Sequence, residues 1–219
     1  MTPDYEVRLQ TISIAGGGDL EIRSLADRQQ YSDPDGAAAA AGISPASWSL
    51  FGQIWPSARQ LADLMQSWSF GDRRILEVGC GLGLASLVVH RRGGDITASD
   101  CHPLVETFLR DNLRRNGLPP MKYVTGNWDR PNPGLGQFDL IIGSDVLYER
   151  DHARHLADFV GLHAAPAAEV VIVDPGRSNR RAFADWMASL GFTEIPPQYL
   201  HSTLQDGTVY RGSVLRFAR

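Results

Sequence analysis

Ile75-Leu76-Glu77-Val78-Gly79-Cys80-Gly81-Leu82-Gly83-Leu84-Ala85 is the stretch that decides how this chain is read. Ile75, Leu76 and Val78 form the apolar run of a buried parallel strand. Gly79, Gly81 and Gly83 follow on alternate positions, and an apolar helical pattern starts at Leu82. Strand, glycine turn and helix make the first half of a βαβ unit. Glycine is expected here because the turn is tight and its backbone lies against a ligand, where a Cβ would intrude.

The dinucleotide-binding fingerprint G-x-G-x-x-G/A opens in the same way. Its third small residue falls here on Leu84, with Gly83 one place early. Glu77 stands just before the first glycine pair. A helix N-terminus attracts a pyrophosphate, and a neighbouring carboxylate repels one. A ligand that carries positive charge and no phosphate suits this turn better.

The rest of the core alternates. Strands are predicted at 74–78, 95–99, 122–124, 138–143 and 169–174, with two more at 192–195 and 208–217. Helical patterns cover 57–68, 82–92, 104–116, 151–163 and 180–190, two of them ending at Gly117 and Gly191. This predicts an α/β fold with a doubly wound, mostly parallel seven-stranded sheet. Ahead of it, Tyr5–Ile14 and Leu20–Leu25 flank Gly16-Gly17-Gly18-Asp19 and read as a β-hairpin. Residues 26–47, with Asp33-Pro34-Asp35-Gly36 and five alanines, are the least structured part, as a lid or a linker, with a short alanine helix as the other reading.

Ligands of such sheets sit beyond the carboxyl ends of the strands. Asp100 follows the second core strand, where a βαβ nucleotide site places its ribose-binding acid; the plainer reading is a helix N-cap. Cys101 is next to it, within reach of the same ligand, and Cys80 lies in the glycine turn. After the third strand, Asn127 and Trp128 are candidates for the edge and face of an adenine, Trp128 otherwise being an aromatic buried under the loop 130–137. After the fourth come Ser144, Asp145 and Tyr148. Asp145 and Tyr148 are expected on one side of a helical turn, the carboxylate attracting an acceptor amine and the phenol hydrogen-bonding it. Otherwise Asp145 is an N-cap and Tyr148 a core residue.

Together these residues resemble the class I S-adenosylmethionine methyltransferases, whose motif I matches Glu77–Gly83. Asp145-Val146-Leu147-Tyr148 resembles the Asp/Glu-x-x-Tyr/Phe signature of the seven-strand protein-lysine methyltransferases. The resemblance runs from about Gly52 to Gly191. It implies S-adenosyl-L-methionine as cofactor, bound by Trp55, Glu77, Gly79, Cys80, Gly81, Gly83, Asp100, Cys101, Asn127, Trp128 and Ser144, with Asp145 and Tyr148 catalytic. Pro56 stands where members usually carry an acidic or small polar residue. Asp174-Pro175-Gly176-Arg177 resembles members that methylate an electron-transfer flavoprotein. Bacterial chains of this type are also described as nicotinamide N-methylases, so both a protein acceptor and a small amine stay open, as does a binding protein without turnover. The expected division is a hairpin and flexible segment over 1–47 and a methyltransferase domain over 48–219.

The 219 residues carry a formal net charge of −4, which disfavours a nucleic-acid surface. Methylases that flip a base carry Asp/Asn-Pro-Pro-Tyr/Phe after the fourth strand, and no proline stands there. No apolar run is long enough for a membrane span, and Met1-Thr2-Pro3-Asp4-Tyr5-Glu6 does not read as a signal peptide. Two cysteines make no disulfide framework, and no Cys/His spacing suggests a metal. A cytoplasmic location is expected.

Overall fold

A computed structural model describes residues 5–130, 132–204 and 207–219. Met1–Asp4, over which no signal peptide is expected, lie outside the described residues, as does Pro131 of the 130–137 loop.

The N-terminal hairpin pairs β1 (Val7–Ile12) with β2 (Leu20–Leu25), in register from Val7 opposite Leu25 to Ile12 opposite Leu20. Alternation turns Leu20, Ile22 and Ser24 inward, and Leu25, on the opposite phase at the strand's end, is buried as well. A short helix α1 (Ala37–Ala40) follows, its amides at Ala38 and Ala39 accepted by the Asp33 carboxylate at 2.9 Å each. This is the alanine-helix reading of that stretch. A 3-10 turn over Trp48–Gly52 leads into α2 (Pro56–Ser67), which has Pro56 in its first turn.

The core strands are β3 (Arg74–Val78), β4 (Asp95–Asp100), β5 (Lys122–Thr125), β6 (Phe138–Ser144), β7 (Ala164–Asp174), β8 (Thr193–Thr203) and β9 (Val209–Ala218). They form one sheet in the order β5-β4-β3-β6-β7-β9-β8, parallel except around β9. The helices α3 (Leu84–Arg91), α4 (Val105–Arg115), α5 (His152–His163) and α6 (Arg180–Ser189) connect them. One apolar core lies under α2, α3, α4 and the hairpin; a second lies under α5 and α6. The strand order reverses at β3, which pairs β4 on one side and β6 on the other. The carboxyl ends of those strands therefore open a crevice.

Two strands run further than the sequence suggests. β7 begins at Ala164, not at residue 169, because Ala164 resumes pairing opposite Phe138 across an irregularity. β8 continues past Ile195 to Thr203. Pro196 and Pro197 look like a stop, yet they fall in a register shift between Ile195 and Gln198 on the sheet's edge strand. An edge bulge tolerates proline because no ladder donor is needed there.

Candidate active site

The three glycines of the motif turn all hold positive φ: Gly79 at 58°, Gly81 at 50° and Gly83 at 74°. Their neighbours differ from expectation, because the space a Cβ would fill belongs to the protein itself. At Gly79 it would lie 3.0 Å from Val146 Cγ1 and 3.3 Å from the Trp128 ring. At Gly81 it would meet the Phe51 carbonyl oxygen at 2.9 Å, and at Gly83 it would meet Leu109 Cδ1 at 2.5 Å. Backbone conformation and internal packing demand these glycines.

Glu77 is buried, 2% exposed. Its Oε2 accepts the Ser86 amide at 2.8 Å and also the Ser86 hydroxyl, so it ties the strand to the first turn of α3. Desolvation pushes its carboxyl up to about 7, with Asp100 adding repulsion and the Ser86 bonds opposing. Asp100 ends β4. Its Oδ2 accepts the Gly81 amide at 2.9 Å and its Oδ1 the His102 amide at 2.9 Å. It is not a helix N-cap, since α4 starts at Val105 behind Leu104. The Cys80 amide donates to Ser99 O at 3.0 Å, closing the turn onto β4. Both cysteines are free. Burial and the Asp100 charge push the Cys80 thiol up and that of Cys101 up to about 12, so neither is a thiolate at neutral pH.

Trp128 lies over Gly79 and meets His152 edge-on, ring centroids 5.3 Å apart. Asn127 stands beside it, its carbonyl accepting the Arg130 amide at 3.3 Å. The turn, Asp100 and Trp128 thus surround the carboxyl end of β3.

Ser144 closes β6, and Asp145 follows with φ 52°, a left-handed conformation rare outside glycine. The expected helical turn from Asp145 to Tyr148 is absent: this stretch is irregular, and α5 begins only at His152 behind Asp151. The Asp145 amide donates to Val173 O at 2.9 Å, which anchors it to β7. Asp145 is no N-cap, and Tyr148 is no core residue, being 44% exposed with its ring 4.6 Å from that of His152. Partial desolvation, with the Glu149 charge adding to it, pushes the half-exposed Tyr148 phenol up, so it stays protonated and acts as a hydrogen-bonding group.

Both Asp145 oxygens are held by one guanidinium. Arg177 Nε donates to Oδ1 at 2.7 Å and Nη2 to Oδ2 at 2.9 Å, a bidentate pair. Asp174, at the end of β7, accepts the Gly176 and Arg177 amides at 2.8 Å each and shapes the loop that carries that arginine. Asp145 and Arg177 line a cavity of about 340 Å³ together with Arg28, Trp55 and Tyr210. Trp55 donates from Nε1 to Leu50 O at 2.9 Å, with Arg28 stacked over its ring at 4.7 Å. The structure therefore groups Trp55 with Asp145. The Tyr210 hydroxyl and Ser57 Oγ are 3.0 Å apart in the same wall.

Arg28 and Tyr210 escaped the sequence reading. Arg28 sits in a polar stretch with no periodicity, and Tyr210 reads as one residue of a strand. Arg177 had a signal, three residues past the end of a predicted strand. Among the described residues no group of three His, Cys, Asp or Glu side chains is placed to hold a metal, and no helix is long and apolar enough to cross a membrane.

This sheet order, glycine turn and strand-end acid define a class I methyltransferase fold. The chain belongs to the lysine methyltransferase family, which matches residues 46–189. It is 28% identical over 158 residues to mouse EEF1A lysine methyltransferase 3, covering 69% of this chain and 65% of that protein. It is 28% identical over 186 residues to the rat electron transfer flavoprotein beta subunit lysine methyltransferase, covering 81% and 62%. The chain thus spans less than two thirds of either relative's length. Among solved structures, a SAM-dependent methyltransferase from Methanosarcina mazei superimposes with TM-score 0.60 at 13% identity, over 76% of this chain and 98% of that one. The Synechocystis magnesium protoporphyrin IX methyltransferase with bound SAM gives 0.59 at 15% identity, over 77% and 86%.

Proposed function

We propose that this chain is an S-adenosylmethionine-dependent N-methyltransferase acting on a lysine side chain of a protein. One observation carries the reading: a carboxylate, Asp145, lines a cavity just past the end of β6, the strand that pairs with the one leading into the glycine turn. Family membership and the names of the relatives support it.

The residues fit the cofactor. The segment Glu77–Leu84 carries no basic side chain for a phosphate, while Glu77 is buried against Ser86 and supports the turn from within. In this reading Asp100 accepts from the ribose hydroxyls, the Gly81 amide fixing its direction. Trp128 offers a flat face beside the turn, with Asn127 at its edge. In this reading Cys80, Cys101 and Ser144 pack against the cofactor. S-adenosylmethionine, when bound, supplies an electrophilic methyl group.

The chain's own contribution is to orient the nucleophile. Asp145 accepts hydrogen bonds from the acceptor amine, the Tyr148 hydroxyl offers a second partner, and Trp55 walls the approach. This is positioning catalysis with electrostatic help. Two free thiols agree with a reducing compartment, and we place the protein in the cytoplasm.

The test is incubation with methyl-labelled cofactor and host extract. Label in a protein band, mapped to a lysine by mass spectrometry, supports the reading. Label only in small molecules, or none, overturns it. The Asp145→Asn variant serves as the control.

A further inference from the structure

Asp145 and Asp174 each carry an arginine on the outer side. The Asp145 side chain is 9% exposed and that of its partner Arg177 41%. Asp174 is fully buried, while Arg180, its Nε 3.6 Å from Asp174 Oδ1, is 40% exposed. Each pair buries its anion and presents its cation. Arg28 adds a third exposed guanidinium over Trp55, with no carboxylate within ion-pair distance among the described residues. The cavity lining therefore holds one carboxylate, Asp145, and two guanidiniums, Arg177 and Arg28, with the Asp174–Arg180 pair outside the lining.

A lysine entering it arrives as an ammonium, which has no lone pair. A bare carboxylate in contact favours the charged form and raises an amine's pKa by about 1–3 units. Asp145 alone would thus hold the acceptor in its unreactive state.

We infer that Arg177 sets the protonation state of the acceptor: it cancels the Asp145 charge, so the bound amine loses its proton near neutral pH while still hydrogen-bonded to Asp145. The inference rests on the lysine-methyltransferase reading above. The geometry allows both roles, because each carboxylate oxygen keeps a second lone pair beyond the one Arg177 uses. The loop is held in place by the Asp174 bonds to the Gly176 and Arg177 amides. The other groups facing the site do not undo the cancellation. Arg28 and Arg180 add positive charge, Asp174 is paired with Arg180, and Tyr148 and Tyr210 are phenols that burial keeps protonated. Glu149 lies outside, 3.4 Å from His152. The ammonium releases its proton to water. Its lone pair then forms the N–C bond as the C–S bond breaks, the bonding electrons remaining on sulfur.

The test is the pH dependence, between pH 6 and 10, of methyl transfer from labelled S-adenosylmethionine into the proteins of host extract. Wild type, Arg177→Gln, Arg177→Lys and Arg28→Gln are compared, with S-adenosylhomocysteine titration to check that each binds cofactor. In Arg177→Gln the acid limb should move up by about one pH unit, roughly a tenfold loss at pH 7, with the alkaline plateau recovered. Arg177→Lys should keep the wild-type limb, and Arg28→Gln should shift it the same way by less. A limb that stays in place in Arg177→Gln, whatever the loss of rate, makes Arg177 a structural pin and overturns the inference. A gain at every pH makes it a plug and does the same. If wild type labels no protein at any pH, the lysine-methyltransferase reading itself fails, and this one with it.

Discussion

Gly81 and Asp100 are joined across the crevice, the Gly81 amide donating to Asp100 Oδ2 at 2.9 Å. The acid at the end of β4 is thereby aimed by the turn that follows β3. Asp100→Ala should weaken S-adenosylhomocysteine binding by about 1.5–3 kcal/mol, the range for a hydrogen bond to a charged group. Isothermal titration checks this; unchanged affinity would remove Asp100 from the cofactor site.

Asp145 needs a substitution that respects its backbone. At φ 52° a change to alanine adds strain of about 1–2 kcal/mol, whereas asparagine tolerates this conformation. Asp145→Asn avoids that strain but sets an amide NH2 against one Arg177 N–H and breaks the bidentate pair, so it should lower the denaturation midpoint, hold cofactor as before, and lose nearly all methyl transfer. Full turnover in that variant would reassign the site.

Glu77 predicts a pH effect on stability. Its folded carboxyl is raised from 4.5 to about 7. A raised value means that its stabilising contribution is present below about 4.5 and lost as pH climbs to about 7. Glu77→Gln keeps an oxygen for Ser86 and removes that loss. Its stability relative to wild type should rise between pH 5 and pH 8, by up to roughly 3 kcal/mol. Urea titrations at the two pH values measure it, and parallel curves would count against the shift.

Gly81→Ala should cost about 1–3 kcal/mol, since it combines positive φ with a Cβ placed 2.9 Å from the Phe51 carbonyl oxygen. The loss should appear in the cofactor-free protein. A stability defect seen only with ligand present would place the conflict at the ligand instead.

The sheet was legible because its central strands are buried on both faces and its helices keep a regular apolar period. Ile75, Leu76 and Val78, or Phe108, Leu109 and Leu113, declare their partners through spacing alone. Asp100, Asp145 and Trp128 were legible because they follow strands whose ends face one crevice. What spacing conceals is direction. The left-handed Asp145 broke the expected helical turn, and nothing local announces such a residue unless it is glycine. The arginine on Asp145 crosses from another strand's loop, a relation between residues 145 and 177 that no short window contains. The run of β8 past residue 195 was hidden for a related reason: what Pro196 and Pro197 permit depends on lying at an edge, and an edge is a property of the whole sheet.

The hairpin's outer side is closed by two asparagines, Asn112 in α4 and Asn116 just past its end. Asn112 Oδ1 accepts the Arg23 amide at 2.7 Å, and Asn116 pairs with Glu21 in both directions, at 2.9 and 2.8 Å. These side chains act as a substitute strand along β2. An isolated two-stranded ribbon is marginal in water, and this one has its full set of partners only after α4 has formed against the sheet. Residues 7–25 thus leave the ribosome well before the helix that secures them. In the order of assembly they are made before the helix that fixes them, so partial unfolding from the native state should begin there, with the parallel strands still intact.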